Sequence, residues 1–235
     1  MRQWLTSLRR QPLELHPLHA YARWAEAYPP HAHNPLMRAE EAAVLELLPE
    51  AAGKVALDLA CGTGRYARHL RARGSRRVVA ADFSLEMLRA GRDDNLPLVC
   101  ADWLALPIPD GFFDLVVSGL AAGHIEDLAG ALRELARVLK PGGVVVYSDF
   151  DPIGYFMGWR RTFTDVNGRT LAIRHYPHLF SDHFAAAEAA GLRIDAVREP
   201  CAVDEYGQRA WGETPAALVI RAMKLGDGVS PSHPD

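Results

Sequence analysis

Residues 58–65 read Asp-Leu-Ala-Cys-Gly-Thr-Gly-Arg. The apolar run KVALDLA (54–60) leads into them, and a helical pattern over 64–73 leads out and stops at Gly74. A buried strand, a glycine turn and a helix in that order form a nucleotide-binding turn. Gly62-Thr-Gly64-Arg-Tyr-Ala67 fits G-x-G-x-x-[GA], and Asp82 lies twenty residues past Gly62. That spacing also suits a dinucleotide fingerprint. Asp58 argues against a dinucleotide. It stands at the strand end before the glycines, where a pyrophosphate would meet like charge and a cationic ligand would be attracted.

Outward from this turn, strands and helices alternate. Asn34-Pro35 starts a helix, with Asn as cap and Pro at the first position. Its apolar face carries Leu36, Met37, Val44, Leu47 and Leu48. RVVAADF (77–83) reads as a second strand, SLEMLRA (84–90) as a helix capped by Ser84, and LPLVCAD (96–102) as a third strand. FFDLVVSG (112–119) is the fourth. Leu128, Ala131, Leu132, Leu135, Val138 and Leu139 give helix 126–139 its 3.6-residue period. Pro141-Gly142-Gly143 ends it, and VVVYSDF (144–150) is a fifth strand. A helix at 181–190 and strands at 192–199 and 216–223 follow. This alternation predicts an α/β fold, a doubly wound and mostly parallel sheet covered on both faces. Ligands of such sheets sit outside the strand carboxyl ends, where Asp58, Asp82, Asp102 and Ser118 all fall.

The bulk numbers exclude several classes. The chain has 235 residues, 49% hydrophobic and 23% charged, with a net charge of −3. That balance exerts no general pull toward nucleic acid or anionic lipid. Arg65, Arg68, Arg71, Arg73, Arg76 and Arg77 cluster locally and read as a solvated helix face. Cys61, Cys100 and Cys201 are far apart and odd in number, as in a reduced cytoplasmic protein without a disulfide framework. No apolar run reaches the length of a membrane span, and no signal-peptide h-region is evident. His31-Ala-His33 and His175-x-x-His178 lack a cysteine or carboxylate to complete a metal set, so no metal is expected.

S-adenosylmethionine suits a crevice with acidic strand ends. It carries an ammonium, a sulfonium, two ribose hydroxyls and an adenine, and no phosphate. At this point the sequence resembles the class I S-adenosylmethionine-dependent methyltransferases, over about Tyr21 to Met223. LDLACGTGRYARHL resembles the family's first motif and ADFSLEML its acidic ribose motif. CADWLALPIPDGFFDLVVS resembles the adenine motif and fourth strand, and ELARVLKPGGVVVYSDF the fifth-strand motif. Ala60 departs from a glycine frequent in the family.

The resemblance implies a seven-stranded Rossmann-like sheet whose last strand runs antiparallel beside the fifth. It assigns Asp58, Ala60, Gly62 and Gly64 to the methionine part of the cofactor. It assigns Asp82, Phe83 and Met87 to ribose and adenine, Asp102 and Trp103 to adenine, and Ser118 to the pocket floor. Tyr21, in YARWAEAY, matches an N-terminal aromatic that covers the cofactor. Structural alternatives stay open: the aspartates also suit turns and caps, and the large apolar residues also suit a core. The implied organisation is an N-terminal helical cap (1–50), a cofactor-binding core (51–150), a lid or substrate insertion (151–180), the rest of the core sheet (181–224) and a disordered tail (225–235).

Methyl transfer from a sulfonium is an in-line displacement in which positioning supplies most of the catalysis. A carboxylate acceptor needs no base, whereas a phenol or carbon acid does. His124 is the candidate catalytic residue. Arg160, His175 and His178, in an insertion that also holds Tyr155, Trp159, Arg161, Arg174 and Tyr176, are candidate substrate residues. Within the family the sequence resembles the malonyl-carrier-protein O-methyltransferases and the ubiquinone and menaquinone C-methyltransferases, and O-methylation of a carboxylate is the preferred expectation. The acceptor is expected to be a small molecule, free or bound to a carrier protein, with S-adenosylhomocysteine as product. The rivals are C- or N-methylation of a quinone precursor or natural product, a nicotinamide oxidoreductase, and a non-catalytic nucleotide-binding protein.

Overall fold

The computed structural model describes residues 12–93 and 95–226. Residues 1–11 of the expected cap and 227–235 of the expected tail lie outside the described residues. The first part of the chain forms β1 (Glu14–Leu15), α1 (Pro17–Trp24) and α2 (Pro35–Leu47). The core begins with β2 (Val55–Leu59), α3 (Arg65–Ala72), β3 (Arg77–Asp82), α4 (Leu85–Ala90) and β4 (Leu98–Cys100). It continues with β5 (Phe113–Ser118), α5 (Leu128–Val138) and β6 (Leu139–Phe150). The insertion holds α6 (Pro152–Phe156), β7 (Thr162–Thr164) and β8 (Thr170–Ile173). α7 (Phe180–Ala189), β9 (Leu192–Arg198) and β10 (Ala217–Lys224) complete the chain.

Local chemistry sets the helix starts. Asn34 accepts from the Met37 amide at 2.9 Å ahead of Pro35. Ser84 Oγ accepts from the Met87 amide, and Asp127 from the Gly130 amide. Each side chain satisfies an amide that the helix leaves unpaired.

Seven strands form one sheet in the order β4-β3-β2-β5-β6-β10-β9. The first five run parallel, and β10 lies antiparallel to both β6 and β9. Thus β10 stands between the fifth core strand and β9, as the resemblance implied. Every residue of β2 is buried, as a central parallel strand requires. One face of the sheet packs Leu57, Leu59 and Val116 against Leu132 and Leu135 of α5. The other packs Ala56, Leu115 and Val117 against Val44, Tyr66 and Leu70. Two apolar layers on one sheet are the doubly wound arrangement.

Two differences from the sequence reading have local causes. The fifth core strand begins at Leu139, not residue 144, because Leu139 pairs with Phe113 and Gly142 absorbs the irregularity at φ +75°. The cap and the insertion are joined: β1 pairs in parallel with β8, giving a three-stranded sheet β1-β8-β7. Ala20 and Tyr21 of α1, Met87 of α4 and Phe163, Leu171 and Ile173 of the insertion share one apolar cluster. This cluster sets the small sheet against the core.

Candidate active site

A cavity of about 500 Å³ opens beyond the carboxyl ends of β2, β3, β4 and β5. Asp58, Ala60 and Gly62 line it from the first turn, and Asp82, Phe83 and Met87 from the second. Asp102 and Trp103 line it after β4, and Tyr21 and His124 from the cap and the loop after β5. Residues spread over a hundred positions therefore share one crevice, because a parallel sheet delivers all its strand ends to one edge.

The strand-end carboxylates are already part of the backbone scaffold. Asp58 accepts from the Ala67 amide at 2.7 Å and so caps α3 from the strand. Asp82 accepts from the Gly62 and Ser84 amides, each at 2.8 Å, and ties the two turns together. Each carboxylate retains acceptor capacity beyond these bonds. Burial raises both groups, Asp58 to about 7 and Asp82 to about 6. The turn itself is tight: Ala60 sits at φ +53° and Gly62 at φ +55°. A Cβ at Gly62 would lie 3.1 Å from the Met87 terminal methyl, so glycine keeps that wall open. Two buried carboxylates and a bare backbone turn form a donor set that fits a cationic, hydroxyl-bearing nucleotide and not a diphosphate. Asp102 has one oxygen on the Leu104 amide. The Trp103 indole N–H donates to the Ala131 carbonyl at 3.2 Å, so the ring offers the cavity only its apolar surface.

His124 is fixed at both ring nitrogens. Nδ1 lies 3.2 Å from the Arg174 carbonyl and therefore carries the proton in the neutral ring. Nε2, 3.0 Å from Tyr21 Oη, is then the acceptor of the phenol proton. Burial, with Arg161 and His175 adding to it, holds His124 well below the usual imidazole range. Burial likewise raises the Tyr21 phenol. Both groups are neutral at physiological pH.

Five predicted site residues lie elsewhere. Gly64, at φ +81°, serves as the N-cap of α3 and does not line the cavity. Ser118 is fully buried, does not line the cavity and has no hydrogen-bond partner for its hydroxyl among the described residues. The register explains it: Asp58 pairs with Val117, so side-chain alternation sends Ser118 to the opposite face. His175 rests on Gly123, beside Phe150 and Tyr155. His178 Nε2 meets the Ile125 carbonyl at 2.8 Å. Both histidines hold the insertion onto the loop after β5, and neither lines this cavity. Arg160 lines a neighbouring cavity instead, with Nη1 on the Trp159 and Tyr155 carbonyls.

The structure adds three groups. Arg161 and Tyr176 of the insertion line the cavity where the predicted insertion residues do not. Glu40, fully buried on α2, accepts from Tyr66 Oη at 2.8 Å and Ser148 Oγ at 2.6 Å and pairs with Arg65 at 2.8 Å. Arg65 is thus an ion-paired wall of the cavity, not part of the solvated face expected for it. Ser148 Oγ in turn accepts from the amide of Leu120, a cavity residue at φ +55°. A charge on the apolar stripe of α2, between Leu36 and Val44, was the available signal for Glu40.

The fold and crevice define a doubly wound α/β protein with an acidic nucleotide cleft. Residues 57–147 match the methyltransferase domain family. Malonyl-[acyl-carrier protein] O-methyltransferase of Pseudescherichia vulneris is 32% identical over 220 residues, 91% of this chain and 78% of that protein. Demethylmenaquinone methyltransferase of Corynebacterium urealyticum is 45% identical over 106 residues, spanning 45% of this chain and only 44% of that protein. A crystal structure of an S-adenosylmethionine-dependent methyltransferase from Mesorhizobium loti superposes with a TM-score of 0.66 at 28% identity, covering 79% of this chain and 98% of that one. The chain belongs to the S-adenosylmethionine-dependent methyltransferase family. Among the described residues, no helix is long and apolar enough to cross a membrane.

Proposed function

We propose that the chain binds S-adenosylmethionine in the 500 Å³ cavity and methylates an oxyanion, a carboxylate in the first place, of a small acceptor. When bound there, the cofactor supplies an electrophilic methyl group on sulfur and leaves as S-adenosylhomocysteine. Asp58 and the Ala60–Gly62 backbone would face its methionine part, Asp82 its ribose, and Asp102 with the Trp103 face its adenine. The acceptor would be free or carried by a protein, as the name of the Pseudescherichia relative suggests.

The state of His124 carries the choice of acceptor. It is the imidazole positioned to act as a base, yet burial depresses it and both its nitrogens are engaged. A weak base withdrawn into hydrogen bonds is poor help for a phenol or a carbon acid. A carboxylate arrives ionised and asks for no proton transfer. Arg161 supports the same reading. Its Nη1 donates to the Leu120 carbonyl at 2.7 Å, its guanidinium lies 5.8 Å from the centre of the Tyr21 ring, and its charge reaches the buried Asp149 carboxylate without a close ion pair among the described residues. The guanidinium nitrogens beyond Nη1 can donate to an anionic acceptor. Tyr21, packed against Trp24, and Tyr176 narrow the cavity and limit water around the reacting atoms.

The test is a panel of carboxylic acids, phenols and quinols incubated with methyl-labelled S-adenosylmethionine. Alkali-labile methyl ester formed from the acids supports the reading. Label recovered only in ether or carbon-bound products would replace it with the phenol or carbon-acid alternative.

A further inference from the structure

A second cavity, of about 590 Å³, abuts the first. Met37, Leu120 and Arg161 line both, so they form the partition between them. Three tryptophans, Trp24, Trp159 and Trp211, and Phe150 wall the second cavity. Trp159 is the centre of the set, edge-on to Trp211 at 5.3 Å and to Phe150 at 6.3 Å between ring centroids. Trp24 is stacked on Phe163 at 5.1 Å, which fixes it from behind. The chain has five tryptophans in all, and three of them converge here. Edge-on aromatic walls favour a flat, apolar guest, which they can meet face or edge.

Two arginines line this cavity. Arg160 is folded over the Tyr155 ring at 4.4 Å with its Nη1 on backbone carbonyls. Arg161 is anchored through one nitrogen on Leu120, leaving the rest of its guanidinium at the partition. The partition is itself an unusual backbone. Leu120 holds φ +55° without being glycine, and bonds at its amide from Ser148 and at its carbonyl from Arg161 keep it there. Strain sustained this way marks a place where position matters.

We infer that this second cavity is the acceptor site, and that its guest is an aromatic or otherwise planar acid. The ring system lies among the tryptophans, and the carboxylate reaches Arg161 at the boundary with the cofactor cavity. This deepens the proposed function and rests on it for the transfer step. The bond formed there is from a carboxylate oxygen to the methyl carbon. The bond broken is from that carbon to sulfur, whose electron pair stays on the neutral thioether. No proton moves.

Calorimetry on the full chain tests it, with 2-naphthoate, its neutral amide 2-naphthamide and octanoate as probes, and S-adenosylhomocysteine as an independent ligand. The expected result is that 2-naphthoate binds whether or not S-adenosylhomocysteine is present, and more tightly than either other probe. Arg161→Gln should erase the preference for acid over amide, a loss of about tenfold or more for a charge-assisted bond. Trp211→Ala, on the rim at 41% exposure, should weaken 2-naphthoate and leave S-adenosylhomocysteine unchanged. Equal binding of acid and amide by the native chain would overturn the inference. So would displacement of 2-naphthoate by S-adenosylhomocysteine, or octanoate binding as tightly as 2-naphthoate. If S-adenosylhomocysteine gives no heat while 2-naphthoate binds as described, the aromatic-acid site stands and the cofactor reading falls. If only S-adenosylhomocysteine binds, the reverse holds.

Discussion

The Tyr21 hydroxyl donates to Nε2 of His124 across 3.0 Å, joining α1 to the loop that follows β5. The bond fixes the imidazole as the Nδ1-protonated tautomer, because its other nitrogen faces the Arg174 carbonyl. Nitrogen NMR should therefore find His124 neutral and Nδ1-protonated at pH 7, with no titration in the usual imidazole range. His124→Ala should leave S-adenosylhomocysteine affinity within about twofold and preserve turnover of a carboxylate acceptor, since no proton needs removing. Loss of that turnover with cofactor binding intact would mean that His124 takes part in the transfer itself, and its hydrogen-bonded neutral state would no longer favour a carboxylate over other acceptors.

Glu40 should be the most stability-critical charge in the cap. It is fully buried and holds Arg65, Tyr66 and Ser148 at once. Removing one partner of a buried ion pair leaves the other charge uncompensated, a cost of about 3–5 kcal/mol. Glu40→Ala should lose that much in a urea melt, softened where Glu41 still reaches Arg65 at 3.1 Å. A loss below about 1 kcal/mol, the level of an exposed pair, would show that Glu40 is not buried as described.

Ala60 and Leu120 share a left-handed backbone, at φ +53° and +55°, but should respond oppositely to glycine. A left-handed L-residue costs about 1–2 kcal/mol, and glycine returns about 0.5–1 kcal/mol of that as chain entropy. Ala60→Gly should then gain up to about 1.5 kcal/mol, read in thermal or urea unfolding. Leu120 is only 2% exposed, and deleting a buried leucine side chain costs about 2–5 kcal/mol. Packing outweighs strain there, so Leu120→Gly should destabilise.

Cofactor affinity should depend on pH. Burial raises Asp58 to about 7 and Asp82 to about 6, so in the free protein both carry protons below those values. A cationic ligand binds the ionised carboxylates, and its affinity must fall as pH falls through 7 and then 6. Calorimetry with S-adenosylmethionine should show tightening from pH 5.5 to pH 8, by at most about tenfold per pH unit for each linked proton. A flat profile would mean that neither carboxylate meets the ligand's charge.

Much of this site is legible in the sequence, for a physical reason. Apolar runs end at Asp58 before a glycine turn, at Asp82 before the Ser84 cap and at Asp102 after β4, so all three can be placed at strand ends and hence at one sheet edge. What escapes is whatever depends on side-chain direction one residue either way. Ser118 is at the right strand end but on the wrong face, because β5 is registered with Val117 opposite Asp58. Arg160 and Arg161 are indistinguishable in sequence, yet only Arg161 lines the cavity at the strand ends. Glu40 and Ser148 lie 108 positions apart, and nothing local in either announces the other.

The most direct measurement is a calorimetric titration of the free protein at pH 8 with S-adenosylhomocysteine and, separately, with NADH. An acidic cleft built for a cationic nucleotide should give a saturable heat with the first that Asp82→Ala weakens, and none with the second. Tight NADH binding with no heat from S-adenosylhomocysteine would contradict it.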